Sequence, residues 1–90
     1  MEPKIIFAPS AFKHRISEAD IRQALRARFS ETLIDEYEDN HAIIGFDTRG
    51  NTLEIMVNFI DDETVRVYHA MNCRKSFLGK YGPKGGYHGC

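Results

Sequence analysis

Three apolar runs, Ala42 to Asp47 (AIIGFD), Thr52 to Ile60 (TLEIMVNFI) and Thr64 to Met71 (TVRVYHAM), follow one another with only four and three residues between them. Their β-branched and aromatic content gives each strand character. A parallel crossover takes a dozen or more residues, so connections this short make the three runs antiparallel neighbours. Gly50 and Asn51, which tolerate positive φ, close the first connection, and Asp61, Asp62 and Glu63 form the second. A β-meander is therefore the frame on which everything else must pack.

Alternation sorts the faces of that frame. Leu53, Ile55, Val57 and Phe59 point to a core, and Glu54, Met56, Asn58 and Ile60 point away from it. In the next run Val65, Val67 and His69 share the inward face, with Arg66, Tyr68 and Ala70 opposite, which puts His69 at the core margin. Two further segments carry strand character, Leu33 to Tyr37 as an edge guarded by acids, and Ile5 to Phe7.

A sheet of this kind needs a helix to bury its apolar face. Ser17 followed three residues later by Asp20 is a capping-box pattern, and Ile21, Leu25 and Phe29 then recur at four-residue steps, so a helix over Glu18 to Phe29 is expected. Ala24 widens its apolar stripe, flanked by Arg22, Arg26 and Arg28. Past Asn72, a short helix is expected around Arg74 to Tyr81, stopped by Gly82 and Pro83. The expectation is an α+β single domain over residues 1–82 with one layer of helix on sheet, and a flexible tail over 83–90, where Gly, His88 and Cys90 gather.

Ninety residues suffice for one such core, and a chain this short leaves room for an oligomer or a bound partner to add stability. Met1 to Phe7 lacks the apolar core of a secretion signal and no run approaches the length of a membrane span, so a cytoplasmic protein without membrane partners is the expectation. Cys73 and Cys90 show no zinc spacing and read as reduced thiols, and no metal or cofactor is expected.

Charge is distributed unevenly. Thr64 to Cys90 holds no Asp or Glu but carries Arg66, His69, Arg74, Lys75, Lys80, Lys84 and His88, in a chain of formal net charge −1. A second basic knot, Lys13, His14 and Arg15, precedes the helix. If the two meet, they form an anion site with imidazoles beside it. Cleavage of RNA through its 2'-hydroxyl requires a base, an acid and a group to stabilise charge on phosphorus; histidine serves the first two and lysine or arginine the third. The candidates are His14 and His69 as base or acid, with Lys13 beside them. Arg49, Arg66, Arg74 and Lys75 are candidates for phosphate contact, and Tyr68 and Tyr81 for stacking on a base. Each has a plainer reading: His14 as a loop-end hydrogen bonder, His69 as packed core, Arg49 as a solvated turn residue, Cys73 as an idle thiol. No carboxylate pair, P-loop or dinucleotide glycine pattern is present.

The order Lys13-His14-Arg15-Ile16-Ser17-Glu18, an apolar helix, then Ile43-Ile44-Gly45-Phe46-Asp47-Thr48-Arg49-Gly50 and a further strand, resembles the BrnT-like toxins of bacterial toxin-antitoxin pairs, within the RelE-like group. The likeness spans Phe12 to Leu78. It implies a compact α+β domain with an antiparallel sheet, an mRNA-cleaving activity met free or on the ribosome, and a cognate antitoxin held in a hetero-oligomer, alongside homodimers as a further option. Lys13 and His14 match the opening motif, and Arg49 matches the Arg before Gly. Arg15 stands where Gly is usual, Val67 to Met71 replaces a Ser-Ala-Arg ending, and the Arg-rich C-terminal helix is reduced to Arg74, Lys75 and Lys80. Two alternatives stand beside this reading: a non-catalytic module of the same fold binding nucleic acid or an acidic protein segment, and a structural partner domain that oligomerises through Met56 and Ile60.

Overall fold

The computed structural model describes residues 3–83. Strand β1 (Lys4–Phe7) leads through a 3-10 turn (Pro9–Phe12) to helix α1 (Glu18–Arg26); then come β2 (Arg28–Asp35), β3 (Asn40–Phe46), β4 (Thr52–Asp61), β5 (Thr64–Asn72) and helix α2 (Lys75–Tyr81). The strands form one sheet in the order β1-β5-β4-β3-β2. The meander β2 to β5 is antiparallel throughout, and Gly50 takes φ 83° in the β3–β4 turn, as its residue type allows. β1 joins the far edge parallel to β5, so the sheet is mixed and not purely antiparallel.

The start of α1 follows the capping pattern: Ser17 Oγ accepts from the Asp20 backbone N–H at 3.1 Å. Asp20 also accepts from the Thr48 backbone N–H at 3.0 Å and from its hydroxyl, which lowers the Asp20 carboxyl below its usual value and ties the helix start to the β3–β4 turn. The far end of α1 differs from the expectation. It stops at Arg26, and Arg28 and Phe29 open β2 instead. The cause is the neighbouring strand: a Cβ on Gly45 would lie 1.9 Å from the Ala24 carbonyl oxygen, so β3 runs directly beneath the last turn of the helix and pairs with Arg28. Phe29 then packs on Phe46, with ring centroids 5.0 Å apart. β2 accordingly begins earlier than the edge expected at Leu33.

The core is two-sided, which corrects the single layer. On one face Ile21, Ala24 and Leu25 of α1 bury Ile43, Leu53, Ile55 and Val57; on the other Phe77 of α2 covers Ala42 and Ile44, with Phe29, Ile34 and Met56 around it. β3 sits between both helices, so Ala42 to Gly45 are all buried, a continuous apolar run where a one-sided strand would alternate. Met56 packs beneath α2 and so is not part of an exposed face with Ile60, which remains exposed on its own.

A second correction concerns His69. Val57 pairs with Val67 but Met56 pairs with His69, so Tyr68 is an extra residue in β5. Two residues of the bulged strand oppose one, and the parity of everything after it reverses. Ala70, expected outside, is fully buried in the α1 core, and His69 turns with Tyr68 to the α2 face.

No helix among the described residues is long and apolar enough to cross a membrane. The expected tail lies outside the described residues from residue 84 on, together with His88 and Cys90.

Candidate active site

Glu54 is an acid in the middle of an apolar strand, on the α2 face, and its side chain is 0 % exposed. A carboxylate removed from water is costly unless hydrogen bonds replace its hydration. Here four do. Oε1 accepts from the Arg74 backbone N–H and from Arg74 Nε, both at 3.0 Å; Oε2 accepts from Arg74 Nη2 at 2.8 Å and from His69 Nε2 at 2.9 Å. Burial pushes the carboxyl upward, but the Arg74 hydrogen bonds and charge, with His69, outweigh it, and the group is held below its usual value. The same contact raises Arg74. Arg74 is the residue that enters α2, so its fork around Glu54 also fixes where that helix starts.

With an ionised carboxylate as partner, His69 Nε2 is the donor in that contact. His69 is mostly buried, with 22 % of its side chain exposed, and its ring meets that of His14 edge-on, centroids 5.5 Å apart at 76°. His14 is exposed and arrives from the loop after the 3-10 turn. That turn is fastened to the bulged strand: the Ala8 N–H donates to the Val67 carbonyl at 2.9 Å and Ser10 Oγ to the Tyr68 carbonyl at 2.6 Å. Arg15, next to His14, has φ 64°, the left-handed region that a side chain disfavours. The turn it makes lets the loop carry His14 back over β5 before α1 begins.

The two basic segments therefore meet through His14, His69 and Arg74. Lys13 is exposed in the same loop as His14. Arg49 stands beside Asp20 at the start of α1, where its charge helps lower that carboxyl. Arg66 and Tyr68 lie further along the same sheet face as a second polar cluster. Arg66 Nη1 donates to Asn58 Oδ1 at 3.1 Å, with the guanidinium 5.9 Å from the Tyr68 ring, and Tyr68 Oη donates to Asn40 Oδ1 at 2.7 Å. Burial raises the Tyr68 hydroxyl. Tyr81 belongs to packing: its ring contacts Phe77 at 4.9 Å and its carbonyl accepts from Ser30 and Thr32, which anchors α2 to β2. Lys75 is exposed on α2.

Sequence reasoning missed Glu54. The available signal was a lone acid within TLEIMVNFI, a position that reads as solvent-facing until α2 is laid over it. No group of three or more His, Cys, Asp or Glu suited to a metal ion occurs among the described residues. Compared with protein-family models, with curated proteins and with solved structures, the chain matches none of them.

Proposed function

We propose that this protein is an endoribonuclease of the BrnT-like, RelE-related kind, cutting mRNA without a metal ion in the cytoplasm and held in check by a cognate antitoxin protein. The observation that carries the reading is the His14–His69 pair, with His69 oriented by the buried Glu54–Arg74 clamp. One imidazole removes the proton from the ribose 2'-hydroxyl; the 2'-oxygen attacks phosphorus, the bond to the 5'-oxygen breaks, and the other imidazole protonates that oxygen. The products are a 2',3'-cyclic phosphate and a 5'-hydroxyl. Glu54 keeps the Nε2 proton of His69 engaged, so that Nδ1 is the nitrogen that exchanges a proton with the substrate. Arg74 spends Nε and Nη2 on Glu54, while Nη1 remains for a phosphate oxygen, and its side chain is 56 % exposed. Arg15 adds support, since the left-handed backbone there falls where the resembling sequences carry Gly.

The second reading, a non-catalytic module that binds nucleic acid or an acidic segment, is favoured by one feature: Glu54 already compensates the Arg74 charge. The deciding experiment incubates end-labelled RNA with the purified protein in the presence of a chelator. Cleavage to cyclic-phosphate ends, reduced by roughly 10²-fold or more in both His14→Ala and His69→Ala, is expected. RNA binding with no cleavage would establish the second reading, and cleavage indifferent to both histidines would overturn the mechanism.

A further inference from the structure

On the α2 side of the sheet, β3, β4 and β5 set Asn40, Asn58 and Arg66 side by side in one row. The next row on that face is Ala42, Met56 and His69, two residues on along β3 and β4 and therefore about 7 Å away. Tyr68, the extra residue of the bulge, comes between Arg66 and His69 along β5. α2 packs chiefly on β2 and β3, over Ala42 and Ile44, and leaves the Asn40 row uncovered. There Asn40, Asn58, Arg66 and Tyr68, with Ser10 and Glu38, line a cavity of about 370 Å³.

Hydrogen bonds within the row hold these side chains and decide which groups are left over. Tyr68 Oη donates to Asn40 Oδ1 at 2.7 Å, which engages the amide oxygen and leaves Nδ2 as a donor. Arg66 Nη1 donates to Asn58 Oδ1 at 3.1 Å, and its guanidinium lies 5.9 Å from the Tyr68 ring centroid. A guanidinium and an aromatic ring are the two planar surfaces on which unpaired bases stack. Asn58 Nδ2 donates to the Glu38 carbonyl at 3.3 Å and the Phe59 N–H to the Asp39 carbonyl at 3.0 Å, which fastens the β2–β3 turn to β4 and brings Glu38 to the cavity. Burial raises the Tyr68 hydroxyl, and the charge of the nearby Glu38 adds to it. An acid beside the arginine disfavours phosphate here and suits a neutral planar group that both donates and accepts. Of the four RNA bases, guanine alone offers two adjacent donors, N1–H and the 2-amino group, to the two oxygens of a carboxylate, with the O6 acceptor next to them for an amide N–H.

We propose that this cavity is a guanine subsite: the base stacks on Arg66 and Tyr68, the Glu38 carboxylate accepts from N1–H and the 2-amino group, and Asn40 Nδ2 donates to O6. Its role in cleavage rests on the nuclease reading, under which the adjoining row puts this guanine next to the phosphate held at His14 and His69, so that the subsite selects where RNA is cut. Base binding is measured apart from cleavage, by amide chemical shifts of the full-length, isotope-labelled protein titrated with 3'-GMP, with 3'-IMP, which lacks only the 2-amino group, and with 3'-AMP. Saturable 3'-GMP binding centred on Asn40, Asn58, Arg66 and Tyr68 is expected, with 3'-IMP and 3'-AMP weaker by on the order of tenfold. Glu38→Gln should lose a similar factor for 3'-GMP and leave 3'-AMP unchanged, and end-labelled RNA should be cut beside guanines. Equal affinity for the three nucleotides, shifts centred elsewhere, absence of saturation, or 3'-GMP binding untouched in Glu38→Gln would each overturn the subsite. Preference for 3'-GMP in a protein that cuts no RNA would support the subsite and refute the nuclease, whereas cleavage indifferent to guanine would overturn the subsite and leave the nuclease standing.

Discussion

Replacing Glu54 by Gln tests the buried clamp at the smallest cost in volume. The carboxylate receives two donors on each oxygen: Arg74 N–H and Nε on one, Arg74 Nη2 and His69 Nε2 on the other. Gln can present its oxygen to only one of these pairs, and its amide nitrogen then faces two further donors. At least two charge-assisted hydrogen bonds are lost, each worth about 1.5–3 kcal/mol. Breaking a fully buried ion pair costs about 3–5 kcal/mol, because the surviving charge is stranded. Arg74 is half exposed and can rehydrate, so the expected loss is the lower range, about 2–4 kcal/mol. Against a total of about 5–15 kcal/mol for a small domain that is a large fraction, and it corresponds to a melting temperature lower by at least about 10 °C. Urea titration measures it directly, with an unchanged slope showing that the native state remains compact.

Acidification supplies an independent check on the same residue. The folded-state Glu54 carboxyl lies below its usual value, so its contribution to stability is complete above the unfolded glutamate pKa of about 4.3 and is lost as pH falls through the folded value. Gln has no such term. The gap between wild type and variant should therefore be constant near neutrality and shrink below about pH 4. The double replacement Glu54→Leu/Arg74→Met, which removes both charges, should recover much of the loss. A single-variant loss under about 0.5 kcal/mol, or a gap that does not narrow in acid, would refute the clamp as described.

Two backbone positions give further expectations. Gly45→Ala should cost about 3 kcal/mol or more, because the new methyl meets the Ala24 carbonyl at 1.9 Å and the Arg28 Cα at 3.1 Å, so that α1 must lift off β3; equal urea midpoints would show that the helix is not seated there. Arg15→Gly should raise stability by up to about 1 kcal/mol, since the left-handed conformation at φ 64° costs a side chain about 1–2 kcal/mol and the added freedom of unfolded Gly returns part of that; an unchanged or lower melting temperature would contradict it.

The same physics explains what could be read from the chain. The meander was legible because two short connections leave antiparallel pairing as the only option, and the start of α1 because Ser17 and Asp20 satisfy local donors. The end of α1 was not, since Phe29 continues the four-residue phase and only the approach of Gly45 to Ala24 decides that the chain leaves the helix at Ala27. β1 could be seen as a strand at Ile5 to Phe7, but its parallel partner is β5, some sixty residues away, and nothing local names it. The second core was hidden for a related reason: α2 is seven residues long, and its effect on the sheet comes through Phe77 alone among fully covered side chains.

The histidine site turns on one residue of register. Counting by alternation from Val65 and Val67 sends His69 into the α1 core, where an imidazole would need a polar partner that Ile55 and Val57 do not provide. The extra residue at Tyr68 moves His69 to the face that carries Glu54 and lets Ala70, which needs no partner, take the buried place. Glu54 in turn is tolerable in a buried strand only because His69 and the α2 entry at Arg74 arrive on that side. A bulge therefore converts what would be two buried liabilities, a lone carboxylate and a lone imidazole, into one satisfied network, and the exposed His14 loop is fastened to the same bulged segment through the Tyr68 carbonyl. Strand register and candidate chemistry are in this protein one structural decision, taken at a position that no periodicity marks.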